Sequence, residues 1–134
     1  MNAELRAITR GQLQEMLGDW EHAESVYNMS AGADPLFVAE LGNTILGYMA
    51  FIPGSTLSDT AYVWVQVMPE GERHRLAIGR LAKRWAPIVH SRYKTLIAHC
   101  GANRHDLNWV SYIGGRFLEK QGNLLKFVIE AGNE

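Results

Sequence analysis

The residues with the most chemical potential lie together in the middle of the chain. An apolar run, Tyr62 to Met68 (YVWVQVM), leads through an acidic turn, Pro69 to Glu72, into a basic stretch, Arg73 to Arg84 (RHRLAIGRLAKR). A strand that runs into a helix N-terminus beside cations is a place where proteins hold phosphate, through free backbone N–H groups and the helix dipole. From Glu70 to Lys94 there are seven Lys or Arg (Arg73, Arg75, Arg80, Lys83, Arg84, Arg92 and Lys94) against Glu70 and Glu72. That segment is therefore +5 inside a chain of formal net charge -1. Such focusing suits a polyanionic small molecule, and its competitor is a solvated helix face. Nucleic acid fits less well, because no aromatic stacking platform is interleaved with the cations.

Other reactive side chains form no constellation. His99, Cys100 and His105 could be read as metal ligands, but neighbours on a strand point to opposite faces and no fourth ligand stands at a diagnostic spacing, so no metal site is expected. Cys100 is the only cysteine, which excludes an intramolecular disulfide, and a lone strand cysteine packs as a small hydrophobe unless a base lies beside it. Trp20, Trp64, Trp85 and Trp109 fall on or beside apolar faces, with Trp64 and Trp109 placed to flank a pocket. Glu40 and Asp59 are the acids nearest strand ends, where a carboxylate could relay a proton through water, and both also read as surface carboxylates. No residue is named as catalytic.

These groups must be positioned by alternating elements. Glu4 to Thr9 reads as a short strand. A helix from about Gln12 to Tyr27 follows, with Leu13, Met16, Leu17, Trp20, Ala23 and Tyr27 at spacings of three and four. Ser30 to Pro35 is a loop, and Leu36 to Leu41 and Thr44 to Ile52 form a hairpin about Gly42-Asn43. After a second loop, Pro53 to Asp59, come a strand from Thr60 to Met68 and a helix from Leu76 to His90, with Pro87 expected to kink it or end it early. Thr95 to Cys100 is a strand, and Asn103 to Ile113 a helix closed by Gly114-Gly115. Phe117 to Glu119 and Leu124 to Ile129 make a last hairpin around Gly122-Asn123. The order β-α-β-β-β-α-β-α-β-β predicts an α/β (α+β) fold, a mixed sheet with helices packed on it.

Composition sets the outer bounds. At 134 residues, 47% hydrophobic and 20% charged, the chain is expected to form a single domain, residues 1–134, with its own core. Near-neutral charge removes any global case for nucleic acid or an anionic membrane. The N-terminus (MNAELRAITR) has no signal-peptide run and no spanning segment follows, so a cytoplasmic setting is the expectation.

The order of elements and several residues together resemble the GNAT (GCN5-related N-acetyltransferase) acyltransferases, from Glu4 to about Ile129. The resemblance implies a mostly antiparallel sheet with splayed central strands and helices on both faces, and acetyl-CoA as co-substrate. In that family the loop behind the fourth strand has the pattern Gln/Arg-x-x-Gly-x-Gly/Ala, whose amides take the cofactor's pyrophosphate. Anchored on Ile78-Gly79, this sequence offers His74-Arg75-Leu76-Ala77-Ile78-Gly79, in which only the last position fits. His74 stands where Gln or Arg is usual, Ala77 replaces a Gly, and Arg75 falls where many members have a further Gly. Asn103 follows the fifth strand as expected. The family's tyrosine acid would fall at Val110, and Tyr112 is about 200° further round a helix.

The resemblance thus implies a cofactor site made of Val65, Val67, Met68, His74, Arg75, Ala77, Ile78, Gly79, Arg80 and Asn103. Backbone N–H groups around Val65 to Met68 would hold the pantetheine arm and polarise the thioester, and an amine, small molecule or protein, would accept the acetyl group. Within the family, Tyr93 to Phe117 looks most like the small GNAT-like proteins of tailed bacteriophages. The alternative function is a GNAT-fold module that has lost chemistry and serves in binding or in a virion. An exposed final strand would give a homodimer a route to form.

Overall fold

A computed structural model describes residues 3–54, 59–100, 115–122 and 124–130. Seven strands, β1 (Glu4–Ala7), β2 (Leu36–Leu41), β3 (Thr44–Pro53), β4 (Thr60–Val67), β5 (Thr95–Cys100), β6 (Arg116–Gln121) and β7 (Leu124–Glu130), form one sheet in the order β1-β2-β3-β4-β5-β7-β6. Every neighbouring pair is antiparallel except β4 with β5. Among the described residues four helices accompany the sheet: α1 (Arg10–Leu17), α2 (Ala23–Met29), α3 (Pro69–Glu72) and α4 (Arg75–His90). The expected helix from Asn103 to Ile113, with Val110, Tyr112 and Trp109, lies outside the described residues.

Alternation along the strands explains the layers. Val63, Val65 and Val67 of β4, with Phe37 and Ala39 of β2 and Met49 and Phe51 of β3, pack with Ile78, Leu81, Trp85 and Val89 of α4 on one face. Leu36, Val38, Tyr48, Ala50, Trp64 and Met68 pack with Leu13, Leu17 and Val26 of α1 and α2 on the other. Trp20, Trp64 and Trp85 all join these clusters, Trp85 with its ring 5.3 Å from that of Phe37.

Several expected boundaries move for local reasons. The strand β1 stops at Ala7 because Thr9 becomes the N-cap of α1: its Oγ1 accepts from the amide of Gln12 at 3.1 Å, and Gln12 Oε1 accepts from the amide of Thr9 at 2.8 Å. The single helix expected from Gln12 to Tyr27 is two helices, since Gly18 has φ 56° and ends α1 there. Conversely, Pro87 does not end α4, which continues to His90 with the amide of Ser91 bonded to the carbonyl of Pro87 at 3.1 Å. Val89 is buried in the core, so packing holds the turn that the missing N–H weakens. The last strand of the chain, β7, is interior, between β5 and β6. The sheet edge at that end is β6, where Leu118 interrupts the ladder as a bulge, a device that discourages edge pairing.

One close approach fixes the turn between β4 and α4. In β3, Leu46 is an extra residue between the pairs Ala39 with Gly47 and Glu40 with Ile45. Its carbonyl accepts the amide of Met68 at 2.9 Å. A methyl group placed on Gly71 would lie 1.9 Å from that same oxygen, and one on Gly47 would lie 2.6 Å from the carbonyl oxygen of Gln66. These glycines are required by packing of backbone on backbone, with no help from a flexible side chain. Gly71→Ala is therefore expected to cost about 3 kcal/mol, at the upper end of overpacking losses. Gly11→Ala, whose nearest neighbour would be Thr9 Oγ1 at an ordinary 3.8 Å, is expected to be neutral or to stabilise by about 0.5 kcal/mol. Urea midpoints of the two variants would show the contrast.

Two buried tyrosines tie stability to alkaline pH. Tyr93 donates its hydroxyl to the carbonyl of Asp34 at 2.6 Å, beside the ion pair of Arg92 with the Asp34 carboxylate. Burial raises the phenol pKa of both Tyr93 and Tyr48 above the ordinary value, and the Glu40 carboxylate adds to the rise at Tyr48. Because the folded values are raised, the unfolded phenols, near pH ~10, ionise first. This contribution is intact below about pH 10 and is lost as pH climbs through the raised folded values. The urea midpoint should fall from about pH 10 upward, and Tyr48→Phe should make that fall shallower.

Candidate functional site

The parallel ladder between β4 and β5 is short. It pairs Thr60 with Thr95, Ala61 with Leu96, Tyr62 with Ile97 and Val63 with Ala98, and then ends although both strands continue. From Trp64 to Val67, β4 is paired with β3 alone among the described residues. Its two sides can be told apart by hydrogen bonds at both ends. Thr60 accepts from the amide of Gly54 at 3.3 Å, and Met68 donates to Leu46 at 2.9 Å, so even-numbered residues of β4 turn their backbone groups to β3. Val65 and Val67 therefore turn theirs to the side from which β5 diverges. The carbonyl of Val67 accepts from Gln66 Nε2 at 3.2 Å. That leaves the N–H and C=O of Val65 and the N–H of Val67 aimed into the gap.

Beyond the strand, the seven residues from Met68 to His74 include a short helical turn, α3, before α4 begins. The amides of Glu72, Arg73 and His74 are spent on the carbonyls of Met68 (3.1 Å), Glu70 (3.3 Å) and Gly71 (2.9 Å). His74, the N-cap of α4, makes no side-chain capping bond, and the first turn of α4 has no acidic residue. The first bond inside the helix runs from the amide of Ile78 to the carbonyl of His74 at 3.1 Å. The amides of Arg75, Leu76 and Ala77 thus have no partner within α4, and they carry the positive end of a 16-residue helix dipole.

The sequence-predicted site residues divide accordingly. Val65, Val67, Arg75 and Ala77 present backbone donors, whereas the amides of Met68 and Ile78 are already bonded and Gly79 is buried in the second turn of α4. The side chain of Arg75 pairs with Glu72, Nε to Oε2 at 2.7 Å. Arg92 pairs with Asp34, and Arg84 donates to the carbonyl of Ala3 at 3.3 Å, so Arg75, Arg84 and Arg92 are all engaged within the protein. Arg73 and Arg80 are exposed near the start of α4, and His74 is half-buried there. Asn103 lies outside the described residues. Leu76, which sequence reasoning passed over, supplies the third amide of the first turn and is 61% exposed; its signal was its position two residues past His74.

Glu40 pairs with Arg6 at 2.9 Å, and Asp59 uses its backbone carbonyl to accept from Thr95 at 3.3 Å. His99 and Cys100 close β5. Among the described residues no group of three or more His, Cys, Asp and Glu could hold a metal ion, and no helix is long and apolar enough to cross a membrane. An apolar cavity under α4, lined in part by Gly47, Val65 and Ile78, measures about 10 Å³, which is no larger than a water site.

Solved structures match this arrangement in shape. A chimera built on the spermidine N-acetyltransferase SpeG of Vibrio cholerae superposes with a TM-score of 0.71 at 14% identity, over 97% of this chain and 96% of that one. The chain has the GNAT fold. A candidate phosphinothricin N-acetyltransferase superposes with a TM-score of 0.69 at 17% identity, over 98% of this chain and 100% of that one. Mutant forms of the spermidine/spermine N-acetyltransferase SpeG give a TM-score of 0.69 at 15% identity. No protein-family model matches the chain, and no curated protein matches its sequence.

The amide inventory yields a direct expectation. Titration with inorganic pyrophosphate should shift the backbone ¹⁵N–¹H resonances of Arg75, Leu76 and Ala77 and leave Glu72 and Arg73 nearly unmoved. Glu72→Gln removes one negative charge and releases Arg75, so it should tighten pyrophosphate about fivefold at low salt, with the gain fading as salt is added.

Proposed function

We propose that the protein is an acetyl-CoA-dependent N-acyltransferase acting on an amine. The observation that carries this reading is the gap beside β4, where Val65 and Val67 turn backbone donors away from β3 and are followed along the chain by three amides with no partner within α4. The residues present fit the group they would hold. The amides of Arg75 to Ala77, with Arg73 and Arg80 beside them, suit a pyrophosphate. The edge of β4 suits the amides of an extended arm, which would pair with it as another strand does. Ala77, in place of glycine, adds one methyl group at the first turn, and the ion pair with Glu72 holds the side chain of Arg75 to one side.

Acetyl-CoA would supply the activated acyl group. Val65 N–H faces the gap and can donate to an oxygen on which negative charge develops, a contact that is effective when preorganised and shielded from water. Because that donor belongs to a strand held by β3 on its far side, it is fixed before any ligand arrives. The amine forms its C–N bond as the C–S bond breaks, and its proton passes to water or to the departing thiolate. Positioning and this oxyanion contact support the transfer with no side-chain acid named among the described residues. The cytoplasmic setting is part of the same reading. The narrower likeness to tailed-phage proteins rests on Tyr93 to Phe117, of which residues 101–114 lie outside the described part.

Calorimetric titration with acetyl-CoA and with CoA tests the proposal beside Arg75→Glu, which sets a second carboxylate next to Glu72. Micromolar binding, weakened at least about tenfold in the variant, is expected. Thiol release during incubation with amines should accompany it. Absence of binding at millimolar acetyl-CoA would reject the proposal and leave a GNAT-fold binding module.

A further inference from the structure

An amine must reach the gap from the face of β4 that α4 does not close. On the closed face Val63, Val65 and Val67 are packed against Ile78, Leu81 and Trp85, and the apolar cavity there measures about 10 Å³. Strand alternation puts Trp64, Gln66 and Met68 on the other face, along the stretch of β4 that β5 does not pair. Two of these three offer an incoming amine little to bond. The indole N–H of Trp64 is spent on the carbonyl of Met29 at 2.9 Å, and the thioether of Met68 is a weak acceptor. That leaves Gln66, which is half-buried at the edge of the gap.

The carboxamide of Gln66 is aimed by its neighbours. On the β3 side stands Tyr48, its register partner on the same face, which is 1% exposed and fills that flank. The carboxamide turns the opposite way, and Nε2 donates to the carbonyl of Val67, which faces the gap, at 3.2 Å. This bond also settles which end of the carboxamide is which, because a carbonyl only accepts and so must meet the NH2 group. Oε1 is left with no partner among the described residues, at the same edge as the backbone donors of Val65 and Val67. The edge therefore offers N–H donors from the backbone and an acceptor from one side chain. Donors suit the oxygen of a thioester, and an acceptor suits the N–H of the amine that attacks it.

From this geometry we infer that Gln66 receives the acceptor amine, its Oε1 accepting an N–H while the nitrogen lone pair faces the thioester carbon. The inference rests on the acyltransferase reading. The C–N bond forms as the C–S bond breaks, sulfur leaves with that electron pair, and the amine's proton passes to water, because a neutral carboxamide orients a nucleophile without acting as its base. The test uses hydroxylamine, a small amine that is neutral at neutral pH and needs little recognition beyond one hydrogen bond. Acetohydroxamate formed at saturating acetyl-CoA is measured above the uncatalysed rate, with calorimetry for acetyl-CoA alongside. Gln66→Leu removes both carboxamide groups and should lower kcat/KM for hydroxylamine at least about tenfold, while weakening acetyl-CoA binding by no more than about twofold. Gln66→Glu keeps an acceptor but cannot donate to Val67 when ionised, and its kcat/KM should stay closer to that of the unaltered protein than to that of Gln66→Leu. If Gln66 served only to cap the Val67 carbonyl, the two variants would fall alike, and that result would overturn the inference. An unchanged kcat/KM in Gln66→Leu, or no acetohydroxamate above the uncatalysed rate in a protein that binds acetyl-CoA, would overturn it equally and spare the cofactor reading. Failure to bind acetyl-CoA would remove both.

Discussion

The carbonyl of Leu46 governs where the rest of the site can be. It stands out of the β3 ladder because a bulge puts one extra residue there, and it receives the amide of Met68 just as the chain leaves β4. Gly71 then packs against the same oxygen, closer than any side chain would allow. These contacts set the direction in which the chain enters α4 and so the direction in which the amides of Arg75 to Ala77 point. A phosphate-binding helix terminus is useful only if its orientation relative to the strand is fixed, since both must contact one extended ligand. The anchor uses only backbone atoms, and it therefore adds no side chain that could crowd the gap.

Much of this architecture was legible in the residues. The apolar runs Leu36 to Leu41 and Thr60 to Met68, the turn pair Gly42-Asn43 and the three-four spacing of Ile78, Leu81, Trp85 and Val89 each mark an element that formed, the second run ending as a strand at Val67. Other features depend on contacts that no local pattern encodes. Apolar spacing runs through Gly18 without a break, so the division of α1 from α2 appears only when that glycine takes a positive φ. Pro87 reads as a terminator, yet buried Val89 and Tyr93 hold the chain beyond it in place. The phosphate loop shows the same limit. A motif anchored on Gly79 points into the second turn of a helix, while the glycine that shapes the turn is Gly71, identifiable only once Leu46 is seen against it.

Charge was legible as a sum and not as an arrangement. The excess of cations from Glu70 to Lys94 is real, but Arg75, Arg84 and Arg92 are engaged with Glu72, Ala3 and Asp34. What remains near the start of α4 is a helix terminus with Arg73 and Arg80 beside it. Sequence counting treats all seven as equivalent, because it cannot know which partners the fold brings within reach. The unspent amides matter more than the count, since each is a directional donor fixed by the helix.

The short β4–β5 ladder also has a mechanical meaning. On one side of it, β1 to β4 are joined by antiparallel ladders, and on the other β5, β7 and β6 are joined likewise. Four parallel pairs form the seam between these halves, with α4 as the covalent crossover that spans it. Parallel pairs are slightly weaker than antiparallel ones, and this seam is also incomplete. Thermal breathing of the sheet should therefore concentrate along one line, so that the two halves move as stiff leaves about it while each keeps its own register.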